Sequence, residues 1–383
     1  MRTLLRTVLT PMAVLRLVLG WGSFLLLLAL TPALDGPLPA WLLWLLLGGI
    51  VAVITLSAFG VVTEAEHLAH RLGDPYGTLV LTISIAAIEV ILIAAVMLGP
   101  GEHTTIARDS VMAVSMIIMN LVVGIALLVG GMRHRHLRAN PTGVSLYLGM
   151  LIVLLSVAFA LPALIGGEGA YAPAQAIPLV LLTVCLYAFF LLRQMGAQRA
   201  DFQEAADARH ATSSSSSSSD AERAPIGAVL VEHRAELIAR TLLLIAMVLP
   251  IVLLSHDMAT LLDEGLDRLG APVALSGILI AMIVFLPETI TTIRAALGGE
   301  MQRVSNLCHG ALVSTAGLTI PAVLTIGLLT GQHVLLAESP VNLLLLGVTL
   351  LLTLATFLGR RLTALHGAAH LFVFVLYGMS VFS

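Results

Sequence analysis

The run TLVLTISIAAIEVILIAAVMLG (residues 78–99) is apolar enough to cross a bilayer, yet it carries one carboxylate, Glu89, near its middle. A second run, LSGILIAMIVFLPETITTIRAALG (residues 275–298), carries Glu288 in the corresponding place. A charged side chain at the centre of a membrane helix costs roughly 2.5–3.5 kcal/mol on insertion scales, and such residues mark ion or proton paths. Carboxylates matched across two halves of one chain are the sequence mark of a secondary transporter with its site at a repeat interface.

The rest of the chain fits that setting. Of its 383 residues, 58% are hydrophobic and 11% charged, and the mean hydropathy is +1.03. A water-facing surface needs more charge than that. A run of about 20 apolar residues spans a hydrocarbon core of roughly 30 Å. Eleven such runs predict helices over residues 12–31, 41–61, 77–99, 110–131, 145–166, 174–195, 236–255, 271–294, 305–330, 340–359 and 364–382. Arg16 interrupts the first, and residues 1–16 have the cast of a signal peptide. With no small-residue cleavage site following, the run reads as a retained helix. The chain has no lysine. With the N-terminus in the cytoplasm, the C-terminus outside and eleven alternating spans, every arginine except Arg108 and Arg268 lies on the cytoplasmic side, as the positive-inside rule requires.

No basic patch with interleaved aromatics is present, so nucleic acid is not an expected partner. Cys185 and Cys308 lie within spans as small core residues, with no disulfide framework or CxxC metal site. Lipid-facing and partner-facing apolar surfaces look alike in a sequence, so no oligomeric state is read from it.

Residues 196–235 differ in kind. They hold Asp201, Glu204, Asp207, the serine run Ser213–Ser219, Asp220, Glu222 and Arg223. Such a composition cannot bury apolar surface and reads as a cytoplasmic linker. It divides the chain into an N-terminal helix (1–40), a first five-helix repeat (41–195) and a second (236–383). The halves echo each other. Leu72-Gly73-Asp74-Pro75 precedes the third span, and Leu269-Gly270-Ala271-Pro272 precedes the eighth. A Leu-Gly pair places Gly99 ten residues after Glu89 and Gly298 ten after Glu288. Arg108-Asp109-Ser110 aligns with Arg303-Val304-Ser305, which sets Asn120 opposite Thr315. Five spans per repeat is an odd number, so the third span runs outward and the eighth inward. The expected fold is an all-α polytopic membrane protein of about eleven transmembrane helices, one N-terminal helix plus two inverted-topology repeats.

Thr78, Thr82, Ile85 and Glu89 recur at i, i+4, i+7 and i+11 and share one helical face. On the eighth span Glu288 shares a face with Val284, Thr291 and Thr292. Pro287 cannot donate to the Ile283 carbonyl and crowds it, which predicts a kink. A carbonyl freed at membrane depth must face protein or a watery cavity, so that of Ile283 is a candidate ion ligand. Hard cations such as Ca²⁺ take roughly six to eight oxygens, and two carboxylates neutralise one divalent ion. Desolvation favours the protonated carboxyl, whereas a bound cation favours the carboxylate. Proton and cation then compete for the same pair, which is the physical basis of antiport.

Ser115, Asn120, Asn306, Ser314 and Thr315 offer either neutral oxygens for the ion or hydrogen bonds between helices, the commoner use of such residues; Thr82 is a further hydroxyl beside Glu89. His309 and His370 offer proton relays or simple packing. Glu64, Glu66, His67 and His70 cluster at the cytoplasmic end of the second span. Their order is not the His-Glu-x-x-His of metalloproteases, and it reads as a vestibule attracting cations or protons.

At these residues the chain resembles the cation/proton exchangers of the Ca²⁺:cation antiporter superfamily, most nearly the bacterial ChaA-type calcium/proton antiporters. The phrases that carry the resemblance are Gly73-Asp74-Pro75-Tyr76-Gly77-Thr78-Leu79-Val80-Leu81-Thr82 running on to Ile88-Glu89, Leu286-Pro287-Glu288, and Gly317-Leu318-Thr319-Ile320-Pro321-Ala322-Val323. The likeness extends over nearly the whole chain from Thr63 onward. It implies a bacterial inner-membrane protein with a cation site shared by Glu89 and Glu288, transporting Ca²⁺ and H⁺ without a cofactor. Many relatives carry Gly-Asn-x-x-Glu in both repeats, but here the asparagine positions hold Ala86 and Phe285. Two amide oxygens are missing, which weakens strict Ca²⁺ selectivity.

The expected function is therefore exchange of cytoplasmic Ca²⁺ for external protons by alternating access. The alternative on the same scaffold is Na⁺(K⁺)/H⁺ antiport. An intramembrane enzyme needs a nucleophile with its base, or paired aspartates holding a metal diphosphate, and no aspartate lies at the centre of a predicted span. A passive channel has no need of protonatable residues matched across inverted repeats.

Overall fold

The computed structural model describes residues 8–34, 36, 38–72, 86, 90, 93–94, 97, 104–134, 136–203, 233–272, 274–359 and 361–382. Among these the chain is nearly all helix, with isolated β-bridges and no strand. The helices are α1 Pro11–Leu34, α2 Ala40–Leu72, α3 Ile106–Arg133, α4 Pro141–Ile165, α5 Pro173–Met195, α6 Arg234–Arg268, α7 Ala274–Val284, α8 Leu286–Gly298, α9 Met301–Thr330, α10 Pro340–Phe357 and α11 Ala364–Val381. Among the described residues nine are long and apolar enough to cross a membrane, and α7 with α8 makes a broken tenth. The predicted third span lies outside the described residues apart from Ala86, Val90, Ile93, Ala94 and Met97. The all-helical, multi-pass architecture agrees with the sequence reading. The lengths of α2 and α6 do not follow the apolar runs. α6 continues through polar turns to Arg268, where an i,i+4 ion pair with Glu264 supports its end. Asp257 consequently lies inside the helix rather than beyond it.

The chain packs as two compact units, residues 1–95 with 219–287 and residues 96–218 with 288–383. Each unit draws on both sequence halves, so the packing units and the repeats are different divisions of the chain.

In the first unit α2 and α6 pack along their lengths, with α1 against both. The reason is periodic. Leu47, Ile50, Ile54, Val61, Ala65 and Leu68 form one stripe on α2, and Leu243, Met247, Ile251, Leu254, Met258 and Leu262 form the facing stripe on α6. Pro250 has no N–H to offer the Ala246 carbonyl inside α6. The indole Nε1 of Trp21 on α1 donates to that carbonyl instead, at 3.0 Å, so the exposed acceptor becomes an interhelical clasp.

Near the start of α6, Arg240 donates from Nη1 to Glu64 Oε2 of α2 at 2.7 Å and from Nε to Glu236 Oε1 at 3.0 Å. Arg240 and Glu64 are both buried. Removing one partner of a buried pair strands the other charge, at about 3–5 kcal/mol. Arg240→Ala is expected to lower unfolding stability in detergent by about that much, and the double change Glu64→Leu with Arg240→Met to recover most of it. A single-variant loss below about 1 kcal/mol would place the pair in the class of solvated surface bridges.

The second unit is built around α3 and α9, whose side chains are mostly buried. Both helices contain a π-helical turn, Ile117–Val122 in α3 and Asn306–Gly310 in α9, and the two turns touch. α11 lies on α3 so closely that a Cβ on Gly367 would stand 2.5 Å from Leu128 N and 2.6 Å from Gly124 O. Small residues permit such backbone contact, the usual way that membrane helices associate. α4 and α10 begin at side-chain caps, Asn140 accepting from Thr142 N at 3.1 Å and Ser339 from Asn342 N at 3.2 Å, each followed by proline at the first helical position.

Candidate cation site

Glu288 sits in the first turn of α8. The helix breaks at Phe285, so Pro287 falls at the start of a new helix, where its missing N–H belongs to a group that has no helical partner anyway. The bend expected at Pro287 is present, as a break between α7 and α8. The Val284 side chain, expected on the face of Glu288, lies outside the described residues. A helix N-terminus presents a partial positive charge to a carboxylate, and broken membrane helices use such ends to build ion sites. Glu288 Oε2 is buried with no hydrogen-bond partner among the described residues. One turn along, Thr292 is buried and faces α9, where Cys308 Sγ approaches its hydroxyl at 3.8 Å. Ile283, whose carbonyl is the other ligand candidate, packs its side chain against the apolar core of the first unit. Glu89, Thr78, Thr82 and Ile85 lie outside the described residues. Of the two positions where relatives carry asparagine, Ala86 is 1% and Phe285 2% exposed, so both present buried apolar side chains.

The supporting polar residues are in the interior, and several already hold partners. Ser115 Oγ donates to the Val111 carbonyl one turn back at 2.6 Å. Asn120 Nδ2 donates to Thr349 Oγ1 on α10 at 2.8 Å, and its Oδ1 meets His370 Nδ1 on α11 at 3.3 Å. Asn306 Nδ2 donates to the Phe202 carbonyl at 2.8 Å and its Oδ1 accepts from Gln302 Nε2 at 2.9 Å. Ser314 accepts from Tyr187 Oη at 2.9 Å and donates to the Gly310 carbonyl at 3.0 Å. Thr315 is 1% exposed. For Asn120, Asn306 and Ser314 the structure thus displays the interhelical and loop hydrogen bonds that the sequence left open beside ligation.

Thr349, Thr353 and Thr356 of α10 are fully buried in the same region, and the sequence reading passed over them. Their i, i+4, i+7 spacing on an otherwise apolar span was a usable signal for an inward polar stripe. Tyr187, buried against Ser314, left no such trace.

At the end of α2, Glu66 and His67 are exposed, whereas Glu64 is buried and ion-paired with Arg240. The vestibule reading is corrected for Glu64, which holds two helices together rather than meeting water. The His70 side chain lies outside the described residues. Among the described residues no group of three His, Cys, Asp or Glu side chains is placed to hold a metal ion.

Comparison with known proteins bears on this arrangement. The family model described as sodium/calcium exchanger protein matches residues 41–196 and 240–382. A putative ionic transporter, y4hA of Sinorhizobium fredii, is 35% identical over 330 residues, covering 85% of each chain. The sodium-potassium/proton antiporter ChaA of Escherichia coli is 30% identical over 337 residues, covering 86% of this chain and 87% of its own. Among solved structures, native YfkE, a Ca²⁺/H⁺ antiporter, superposes with a TM-score of 0.68 at 17% identity, covering 96% of this chain and 99% of that one; at that identity the likeness speaks for the fold.

Proposed function

The chain belongs to the sodium/calcium exchanger protein family, a member of the Ca²⁺:cation antiporter superfamily close to ChaA, and from that premise we propose that it exchanges cytoplasmic Ca²⁺ for external protons. It is a cation-exchanging transporter rather than an enzyme. In the proposed cycle Glu288 and Glu89 share the cargo. Two carboxylates balance one divalent ion, and when the ion leaves toward the outside, protons arriving from that same side restore near-neutrality before the site turns inward. The observation that supports this best is the buried Oε2 of Glu288, without a hydrogen-bond partner among the described residues, at the break of a spanning helix. A carboxylate oxygen buried without a partner calls for a proton, a cation or water.

Neutral oxygens complete such a shell. The proposed suppliers are Thr82, the Ile283 carbonyl at the end of α7, and Ser115, Asn120, Asn306, Ser314 and Thr315 where they exchange a present partner for the ion. The proposed setting is a bacterial inner membrane with the N-terminus and the 196–235 linker in the cytoplasm and the C-terminus outside. Every arginine but Arg108 and Arg268 then lies inside.

A second reading, Na⁺ or K⁺ in place of Ca²⁺, is favoured by a specific observation. Both positions where relatives offer an amide oxygen are buried and apolar here, and fewer hard ligands suit a smaller charge. The two readings separate in everted membrane vesicles holding a proton gradient, with Ca²⁺, Na⁺, K⁺ and Mg²⁺ added one at a time. Dissipation by Ca²⁺ is the expected result. Dissipation only by Na⁺ or K⁺ would keep the mechanism and replace the cargo. No response to any of the four would sink proton-coupled antiport.

A further inference from the structure

His309 and His370 are both fully buried in the second unit, but they differ in what surrounds them. For His370 both ring nitrogens have side-chain partners. Thr349 gives its hydroxyl proton to the Leu345 carbonyl at 2.7 Å, so it can only accept from Asn120. That turns Asn120 Nδ2 toward Thr349 and leaves Oδ1 to accept from His370 Nδ1. His370 Nε2 faces Thr356 Oγ1 at 3.4 Å. Both nitrogens of the imidazole are engaged.

His309 is held at one nitrogen only. Its Nδ1 pairs with Ser305 Oγ at 2.9 Å, while Nε2 is buried with no partner among the described residues. The ring stands edge-on to Phe357 with centroids 5.0 Å apart and beside Tyr147 at 6.4 Å. The titratable groups facing it are Tyr147 from α4, His370 from α11 and, beside it in the chain, Cys308; α10 contributes the Phe357 ring. Tyr147 Oη already accepts from Gln194 Nε2 at 2.8 Å. Leaving a buried nitrogen unsatisfied is costly, a penalty that a buried water or a proton removes. The residue lies in one of two touching π-helical turns, features that concentrate at functional sites.

We propose that His309 is a proton-transfer residue of the second unit, distinct from the glutamates that hold the cation. A proton arriving through buried water binds Nε2, giving an imidazolium whose Nδ1–H is held by Ser305. The same N–H bond later breaks to return the proton to water, and no other bond changes. His370, with a partner at each ring nitrogen, lacks the open nitrogen that suits His309 to this task. The proposal rests on the antiport reading.

Its test separates proton movement from cation movement in proteoliposomes. His309→Gln retains a neutral polar side chain but cannot take up a proton. A positioned proton-transfer group typically contributes about a hundredfold or more. Cation-driven proton movement across a range of pH is therefore expected to fall by about tenfold or more. Self-exchange of radiolabelled Ca²⁺ or Na⁺, whichever ion drives protons in the unaltered protein, needs no proton and is expected to persist within about twofold. Equal loss of both activities would make His309 a packing residue, and loss of neither would remove it from the proton path. If the unaltered protein moves no protons with any cation, the antiport reading fails first and takes this proposal with it.

Discussion

Glu288→Gln is expected to abolish cation/proton exchange while leaving the chain folded and inserted. Glutamine preserves the shape of the side chain and an acceptor oxygen, but it can neither ionise nor give up a proton. At an effective dielectric near 20, one unit charge at about 4 Å from another is worth about 4 kcal/mol, and a coordinating carboxylate lies nearer than that. Losing one of two such charges should therefore lower exchange by about a hundredfold or more. Stability should not fall, because the change removes a carboxylate whose Oε2 is buried without a partner. The measurement is dye-reported gradient dissipation in everted vesicles, paired with thermal unfolding of the purified variant in detergent. The repeat relation extends the same expectation to Glu89→Gln. Coupled exchange surviving in either variant would remove the central claim, whereas lost exchange with lost folding would leave the carboxylate's chemistry undecided and call for Glu288→Asp as the next variant.

Gly367→Leu is expected to have the largest effect on stability. A Cβ at that position already falls 2.5–2.6 Å from backbone atoms of α3, and backbone cannot rotate away as a side chain can. The reciprocal surface offers no slack, because the space beside Gly124 is filled by Leu371 and that beside Gly131 by the start of α11. Overpacking in a well-filled core typically costs about 1–3 kcal/mol, and here α11 must separate from α3 altogether. A drop of about 3 kcal/mol or more in detergent is expected, with loss of a single size-exclusion peak. Leu365, on the same helix but 79% exposed, is the control: Leu365→Ala should leave both unchanged. If Gly367→Leu behaves as Leu365→Ala does, α11 does not pack on α3 as described.

The multi-pass, all-helical architecture was legible because hydrophobic length is a local property, readable one window at a time, although α2 and α6 run on past their apolar stretches. The matched carboxylates were legible for the same reason, since a charge in an apolar run stands out alone. What lay beyond reach depends on which helices meet. Nothing within residues 41–61 announces α6 as their neighbour, and Glu64 looks solvated until Arg240 is brought to it across the bundle. Pro287 marked irregularity correctly, but whether a helix kinks or breaks depends on the chain on both sides. The hydrogen bonds of Asn120 and Asn306 are likewise tertiary: an amide reads the same whether it faces an ion, a threonine or a loop carbonyl.

The π-helical turns make phase, rather than position, the quantity that sequence changes in α9 must respect. An ordinary helix advances about 100° per residue, and a π turn inserts one residue beyond that count. Residues before Asn306–Gly310 and residues after it therefore belong to two cylinders set at different rotations. The first directs Gln302 toward the backbone N–H of Asn140, and the second sets Ser314 and Gly317 against Tyr187. A one-residue deletion inside that turn would not leave a gap. It would take out the inserted residue and return α9 to plain α-helical winding, whereas the same deletion between Ala311 and Val313 would act like a camshaft slipping a tooth, swinging everything downstream through about 100° and carrying Ser314 off Tyr187.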